Sequence, residues 1–394
     1  MVQVRITRQA RVPDPVLLRR HERCPDLGPR ILFFSGGTAL RALSQRIIRY
    51  THNSIHIITP FDSGGSSAVL RRAFGMPAIG DVRNRLMALS DQSLHGNPEV
   101  VALFAHRFPK DAPAREPRET LETMARGRHP LVSAIPDPMR KIVRHHLRVF
   151  TEWMPPAFDL AGASVGNLVL TAGYLEHRRH LDPVIYLFSK LAEVRGTVRP
   201  VVNHSLHLCA ELQDGTTVLG QHLITGKEGP APASPVRSLR LVRSAADTDP
   251  VRAPIRDKVR RLIASADLIC FPVGSFWTSL VATLLPQGVG AAVAANPCPK
   301  VFVPNLGHDP EAPGLTVADQ LRVLLATLTR DAPGAGLPVD FVLVDQENGR
   351  YPGPLDRRAI QAKGAEILDC PLVTPDSAPL LDPERLARAL LSLT

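Results

Sequence analysis

Ile31-Leu-Phe-Phe34, followed at once by Ser35-Gly-Gly-Thr38, reads as a strand that breaks into a glycine turn. Four apolar residues in a row suit a strand buried on both faces, where alternation is not needed. Leu40, Leu43, Ile47 and Ile48 then fall at helical spacing. The same grammar recurs downstream. Ser54-Ile-His-Ile-Ile58 runs into the loop Asp62-Ser-Gly-Gly-Ser-Ser67 and a helix from Ala68, and Leu268-Ile-Cys-Phe271 into Val273-Gly-Ser275 and an apolar helix. Lys300-Val-Phe-Val303 runs into Asn305-Leu-Gly307, and Asp340-Phe-Val-Leu-Val344 into Asp345. Short apolar strands, each ending in a Gly, Ser, Asn or Asp loop, predict an α/β fold. Its core is a doubly wound, mostly parallel sheet in a three-layer α/β/α arrangement. Ligands in such sheets gather beyond the strands' carboxyl ends.

Outside this rhythm, residues 1–30 mix Arg and Pro and read as an N-terminal extension rather than a core element, leaving 31–394 as the α/β domain. Residues from about 109 to 160 are Pro- and Arg-rich and include the amphipathic Met139-Arg-Lys-Ile-Val-Arg-His-His-Leu147; they read as a helical insertion over the sheet. Alternation around Asp214-Gly215 predicts a small β-hairpin insertion within about 197–226, and 229–235 has the composition of a linker.

With 394 residues and 44% hydrophobic content the chain can bury a real core, which excludes global disorder. Its 47 basic and 37 acidic residues give +10, and since only seven of the basic residues are Lys, forty are Arg. Arg grips carboxylate and phosphate through a planar fork, so the surplus suits anionic ligands, although a genome-wide Arg bias gives the same charge. Aromatic content of 5% leaves few rings for stacking bases, so nucleic acid is not the expected partner. Five cysteines without a CxxC pair argue against a zinc ribbon or a secreted disulfide framework. The first thirty residues lack an apolar signal core, and the most apolar stretch, 268–285, is broken by Pro272 and Gly274. The expectation is a cytoplasmic protein with no membrane span.

Several loops carry chemistry. In Ser35-Gly36-Gly37-Thr38 a glycine pair lets backbone approach a ligand, and free N–H groups at a helix start point toward an anion. A tight structural turn has the same composition, and the run matches neither GxGxxG nor a Walker loop. Asp62-Ser63-Gly64-Gly65-Ser66-Ser67 offers one carboxylate, three hydroxyls and two glycines. Hydroxyls and amides suit phosphate oxygens, and Asp62 suits a hard divalent cation bridging them; an Asx or Ser turn is the plain alternative. Arg71 and Arg72 lie within about two turns and can offset an anion's charge. In Gly80-Asp81-Val82-Arg83-Asn84, Asp81 also reads as an N-cap and Arg83 as a solvated cation. Gly274, Ser275, Thr278 and Ser279 repeat the helix-start pattern, with Trp277 either a stacking surface or a core residue. Asn305 either reads a ligand edge or caps a turn. The fourteen histidines form no HExxH pattern, and there is no GxSxG elbow.

Taken in order, Ser35-Gly-Gly-Thr38, Asp62-Ser-Gly-Gly-Ser-Ser67, Phe74-Gly-Met-Pro77, Gly80-Asp-Val-Arg-Asn84 and Val165-Gly-Asn-Leu168 resemble the CofD/YvcK family. So do Arg195-Gly-Thr-Val-Arg-Pro200, Leu208-Cys-Ala-Glu-Leu-Gln-Asp-Gly215, Val273-Gly-Ser275 with Thr278-Ser279, and Val303-Pro-Asn-Leu306, so that the likeness spans most of 31–325. The resemblance implies a Rossmann-like core. In the family's enzyme branch, a 2-phospho-L-lactate transferase moves a phospholactyl group from a guanosine diphosphate-linked donor to a deazaflavin alcohol with magnesium. The YvcK-like branch binds UDP-sugars, and the wording of the loops is nearer to that side. It also implies a nucleotide-diphosphate ligand near Gly37, Thr38, Asp62, Gly65, Ser66, Asn84, Asn167, Gly274, Ser275 and Asn305. Four positions depart from the family pattern: Ser63 replaces a second acid, Ala39 and Val273 replace glycines, and Trp277 replaces Tyr.

The expected function is therefore that of a CofD-like protein binding a nucleotide-diphosphate conjugate and transferring a phosphate-linked group to an acceptor. Asp62 and Arg83 are the catalytic candidates: Asp62 holds Mg2+, and Arg83 or Arg71 offsets charge on the leaving phosphate. The alternative is a non-enzymatic UDP-sugar-binding regulator, which Ser63 favours. A homodimer is one assembly open to either.

Overall fold

The structure, a computed structural model, describes residues 9–394 apart from 94, 95, 227–229, 231, 308, 335 and 337. Residues 1–8 of the expected extension, and 229 and 231 of the expected linker, lie outside it.

Ten strands are present among the described residues: β1 Ile31–Ser35, β2 Ile55–Ile58, β3 Thr197–Pro200, β4 His207–Leu212, β5 Thr217–Leu219, β6 Val236–Val242, β7 Leu268–Phe271, β8 Lys300–Phe302, β9 Phe341–Val344 and β10 Glu366–Asp369. Seven form one sheet in the order β10-β9-β8-β7-β1-β2-β3, and every neighbouring pair is parallel. All five residues of β1 are buried. The pleat divides them between two cores, which is why the sequence shows a continuous apolar run. Leu32 and Phe34 join Phe271, Leu280, Leu321 and Val344 on one face. Ile31 and Phe33 join Leu43, Ile47, Cys270 and Leu390 on the other. Phe34 and Phe271 stack with ring centroids 5.7 Å apart.

This division locates the site. After β1 the chain crosses the Leu43 face and moves on to β2, whereas after β7 it crosses the Leu280 face and moves on to β8. The order reverses between β1 and β7, leaving a crevice beyond their carboxyl ends.

Three boundaries differ from the sequence reading. The helix Pro15–Arg23 packs on the domain: Leu18 is buried with Leu390, and the Asp14 N–H donates to Ser392 Oγ at 2.8 Å. One apolar anchor in an Arg-rich segment was too sparse to reveal a packed element. Thr197–Pro200 belongs to the main sheet as its edge strand, where half-exposed alternation mimics a hairpin arm. The hairpin itself is β4–β5, and β6 pairs with β4 to make a three-stranded antiparallel sheet. The insertion forms the helices Arg115–Ala125, Pro130–Ser133 and Met139–Trp153. It lies one layer further out than expected: Met139–Trp153 packs on Val165–Glu176, which packs on Gly80–Ala88, the helix that touches β2 and β3. No helix among the described residues is long and apolar enough to cross a membrane.

Candidate functional site

Three bends leave the sheet side by side, after β1, β2 and β7. Ser35 is in register with Ile58, and Phe33 with Cys270, so the bends emerge from adjacent strands about 5 Å apart. They enclose a cleft of about 760 Å³.

Each bend is braced from behind by a side chain. Behind the first is Arg85, wholly buried, which donates to the carbonyls of Gly36 and Gly37, both at 3.2 Å, and to Ser44 Oγ. A trans peptide points its C=O and the following N–H in opposite directions. The N–H groups of Gly37 and Thr38 are therefore turned from Arg85 toward the cleft these residues line. Behind the second bend, Arg71 donates to the carbonyls of Phe61 at 3.2 Å, Asp62 at 2.8 Å and Leu206 at 2.6 Å. Asp62 Oδ1 accepts from the Gly64 N–H at 3.1 Å, and Gly65 opens the helix Gly65–Phe74 at φ +49°, which favours glycine. Behind the third, the Asn305 carboxamide pairs with both polar groups of Gly274. Below it, Asp309 Oδ2 accepts from the Phe276 N–H at 2.9 Å. Glu311 accepts from the Thr278 N–H at 2.8 Å and the Thr278 hydroxyl at 2.6 Å. These carboxylates hold a π-helical turn, Phe276–Val281, an element common at functional sites.

The cleft wall takes in the expected residues of the bends (36–38, 62, 64–67, 274 and 275) together with Asp81, Arg83, Asn84 and Asn167. The structure places five other candidates behind it. Arg71 is spent on carbonyls, Thr278 on Glu311, and Asn305 on Gly274. Ser63 Oγ lies 2.8 Å from His222 Nδ1. Trp277 is buried among core residues beside Phe276 and offers the cleft no stacking face. Asp81 is in the first turn of Gly80–Ala88 rather than at its N-cap, with its carboxylate against Gly37. Arg83 is buried, not solvated: Nη1 donates to Ser164 Oγ at 2.8 Å and Nη2 to Asn84 Oδ1 at 2.5 Å. Burial, helped by nearby Arg107, pushes its pKa down to about 10, so it stays a cation at neutral pH.

Sequence reasoning missed two further parts of the wall. Arg107, Phe108 and Lys110, with Ala161 and Gly162, come from the two roots of the helical insertion, which are joined by Phe108 N–H to the Ala163 carbonyl at 3.0 Å. Gln221, His222 and Thr225 follow the β4–β5 hairpin. Arg107 and Lys110 are exposed, giving the rim positive charge. Asn167 is 1% exposed, and its Oδ1 has no partner while Nδ2 reaches Ser66 Oγ at 3.5 Å. Whichever way the amide is turned, one of its polar atoms is left for a ligand.

Comparison with known proteins decides the family. The model of 2-phospho-L-lactate transferase CofD matches residues 31–373. The chain belongs to the CofD family. Among relatives of this CofD-family protein, the gluconeogenesis factor of Bacillus subtilis is 29% identical over 364 residues, covering 88% of this chain and 92% of its own. A putative gluconeogenesis factor of Nostoc sp. is 28% identical over 379 residues, covering 92% and 68%. A crystal structure of a UPF0052 family member from Bacillus halodurans superposes with TM-score 0.66 at 25% identity, covering 92% of this chain and 99% of that one. The Rossmann-like sheet is thus common to the CofD-family chain and its structural neighbour.

Among the described residues no three His, Cys, Asp or Glu side chains gather as a ready metal cage. Two carboxylates, Asp62 and Asp81, line the cleft. Magnesium is commonly held by one or two carboxylates plus substrate phosphates, so this set fits magnesium carried in with a phosphate ligand.

Proposed function

We propose that this CofD-family protein binds a nucleotide-diphosphate conjugate in the cleft, in the cytoplasm, and acts as a transferase of phosphate-linked, phospholactyl-type groups. One observation carries the reading: three neighbouring bends are held from behind, leaving the amides of Gly37 and Thr38 and the hydroxyls of Thr38, Ser66 and Ser67 toward a common space. That arrangement suits a diphosphate, which needs many donors and little apolar contact. Gly36 to Thr38 and Gly64 to Ser67 take the phosphates. Arg83, fixed by Ser164 and Asn84, supplies a preorganised positive charge against the negative charge that develops on a leaving phosphate. Magnesium, when bound with the ligand, supplies further charge neutralisation at Asp62. The acceptor approaches from the side of Gly274 and Ser275.

A second reading, a UDP-sugar-binding regulator without catalysis, draws on the pairing of Ser63 with His222 where the family pattern has a second acid. It also matches the gluconeogenesis-factor names of the relatives. A thermal-shift and calorimetric screen of UDP-glucose, UDP-N-acetylglucosamine, GDP and GTP, with and without magnesium, separates the two. Stabilisation that needs magnesium and falls away in Asp62→Ala supports transfer, and stabilisation indifferent to both supports regulation. If none of the four stabilises the protein, the nucleotide-diphosphate reading is wrong.

A further inference from the structure

Among the described residues His222 is the one histidine in the cleft wall, and the chain holds it in a defined way. Ser63 Oγ accepts from the His222 backbone N–H at 3.2 Å and lies 2.8 Å from the ring Nδ1. The two residues are 159 positions apart, so the small antiparallel sheet must dock for the pair to form. With the backbone N–H filling an acceptor position, the hydroxyl proton remains to be placed, and among the described residues Nδ1 is its only recorded partner. A hydroxyl that donates to Nδ1 puts the ring proton of the neutral imidazole on Nε2. Nε2 is not among the buried atoms that lack a partner, and no group of the described residues takes it.

The surroundings keep this ring free of rivals. Asp62 spends Oδ1 on the Gly64 N–H, and Arg71 spends both Nη atoms on three carbonyls. His207 is held neutral at pH 7, since burial, with Arg71 and His222 nearby, pushes it down to about 4.

We infer that His222, oriented by Ser63, donates from Nε2 to an anionic oxygen of the bound ligand, a phosphate oxygen of a nucleoside diphosphate. This rests on the nucleotide-diphosphate reading and adds to it a specificity residue that no glycine loop supplies. Where a second carboxylate would recruit a cation to meet that oxygen, this chain presents an N–H directly. Ser63 is then a positioning residue, and its hydroxyl fixes the tautomer.

Two measurements on the full chain test this. In the unliganded protein labelled with 15N-histidine, long-range proton–nitrogen correlation reads the tautomer at a pH where the ring is neutral. The expected result is Nε2–H for His222 in wild type and a mixture in Ser63→Ala; an Nδ1–H ring in wild type overturns the inference without touching the binding reading. Calorimetry with UDP and UDP-glucose then compares variants. His222→Leu is expected to weaken binding about tenfold or more, the loss of a charge-assisted hydrogen bond. His222→Gln, whose amide N–H can occupy the Nε2 position, is expected to stay within about threefold of wild type by the same reasoning. Wild-type binding with His222→Leu unchanged overturns the inference alone, whereas no binding of either probe by wild type overturns it together with the function proposed above. Thermal unfolding of each unliganded variant separates a lost contact from a lost fold.

Discussion

The carboxamide of Asn305 pairs with one residue twice: its Oδ1 accepts from the Gly274 N–H at 2.8 Å, and its Nδ2 donates to the Gly274 carbonyl at 2.6 Å. A side-chain amide is thus used as a peptide group would be, closing the bend between β7 and the π-helical turn. Gly274 sits at φ +141°, so no standard turn fixes the bend from within. Asn305→Ala removes both bonds and is expected to cost roughly 1–3 kcal/mol in urea unfolding. Asn305→Asp sets a carboxylate against the Gly274 carbonyl and against Asp309 Oδ2, to which Nδ2 donates at 3.0 Å, so it should cost at least as much as the alanine change. An alanine variant as stable as wild type would show that the bend needs no brace.

Arg85 plays the equivalent part behind the first bend, from complete burial, where desolvation pushes its pKa down to about 10. It remains charged at neutral pH, with the Asp81 carboxylate opposing the shift, and its donors are spread over Gly36, Gly37, Ser35 and Ser44. Arg85→Met leaves those carbonyls unpaired and is expected to cost roughly 2–4 kcal/mol. Arg85→Lys should recover little, because one ammonium cannot span the same set. Chemical denaturation of the three proteins checks the order wild type, then Lys, then Met.

What the sequence made legible follows from where its information sits. β1, β2 and β7 were readable because burial on both faces leaves an unbroken apolar run, and their loops were readable because glycine and hydroxyl residues cluster after each run. The edge strands Thr197–Pro200 and Glu366–Asp369 are half-exposed and carry no such signal. Arg85 was missed because its neighbours, Gly80-Asp-Val-Arg-Asn84, look like a solvated helix start, and its burial is decided by carbonyls 48 and 49 positions away. His222 was missed for the same reason, its partner being Ser63. Trp277 went the other way. A ring beside a glycine bend suggested stacking, but the apolar turn around it faces the core.

Glu311 gives a pH test. Burial raises its pKa above the usual carboxylate value, against the Thr278 hydrogen bonds that lower it. In the unfolded chain the carboxyl ionises at its usual value, so between that pH and its folded pKa the native state holds the extra proton. This group's contribution is then greatest in acid and declines as pH rises through that window. In Glu311→Gln the amide can accept from the Thr278 N–H and donate to the Thr278 hydroxyl, so the fold should survive. Unfolding free energies of wild type minus Glu311→Gln, measured from pH 4 upward, are expected to fall with pH. A flat difference would mean that the carboxyl titrates alike in both states.

Gly37 tests whether the glycine pair of the first bend is required by packing. A Cβ built there overlaps Asp81 Oδ1, while one on Gly36 overlaps the Ser279 side chain. The built Cβ also comes within 3.1 Å of Asp81 Cγ, so the whole carboxylate would have to shift, in the first turn of Gly80–Ala88, whose Arg85 braces the same bend. Gly37→Ala is therefore expected to cost roughly 1–3 kcal/mol through overpacking. Shortening the opposing side chain should relieve it: the double variant Gly37→Ala/Asp81→Ala is expected to be more stable than the sum of its two single changes predicts, by about 1 kcal/mol or more. Additive behaviour in that cycle would place the cost elsewhere, in the backbone conformation of the bend instead of its contact with the helix.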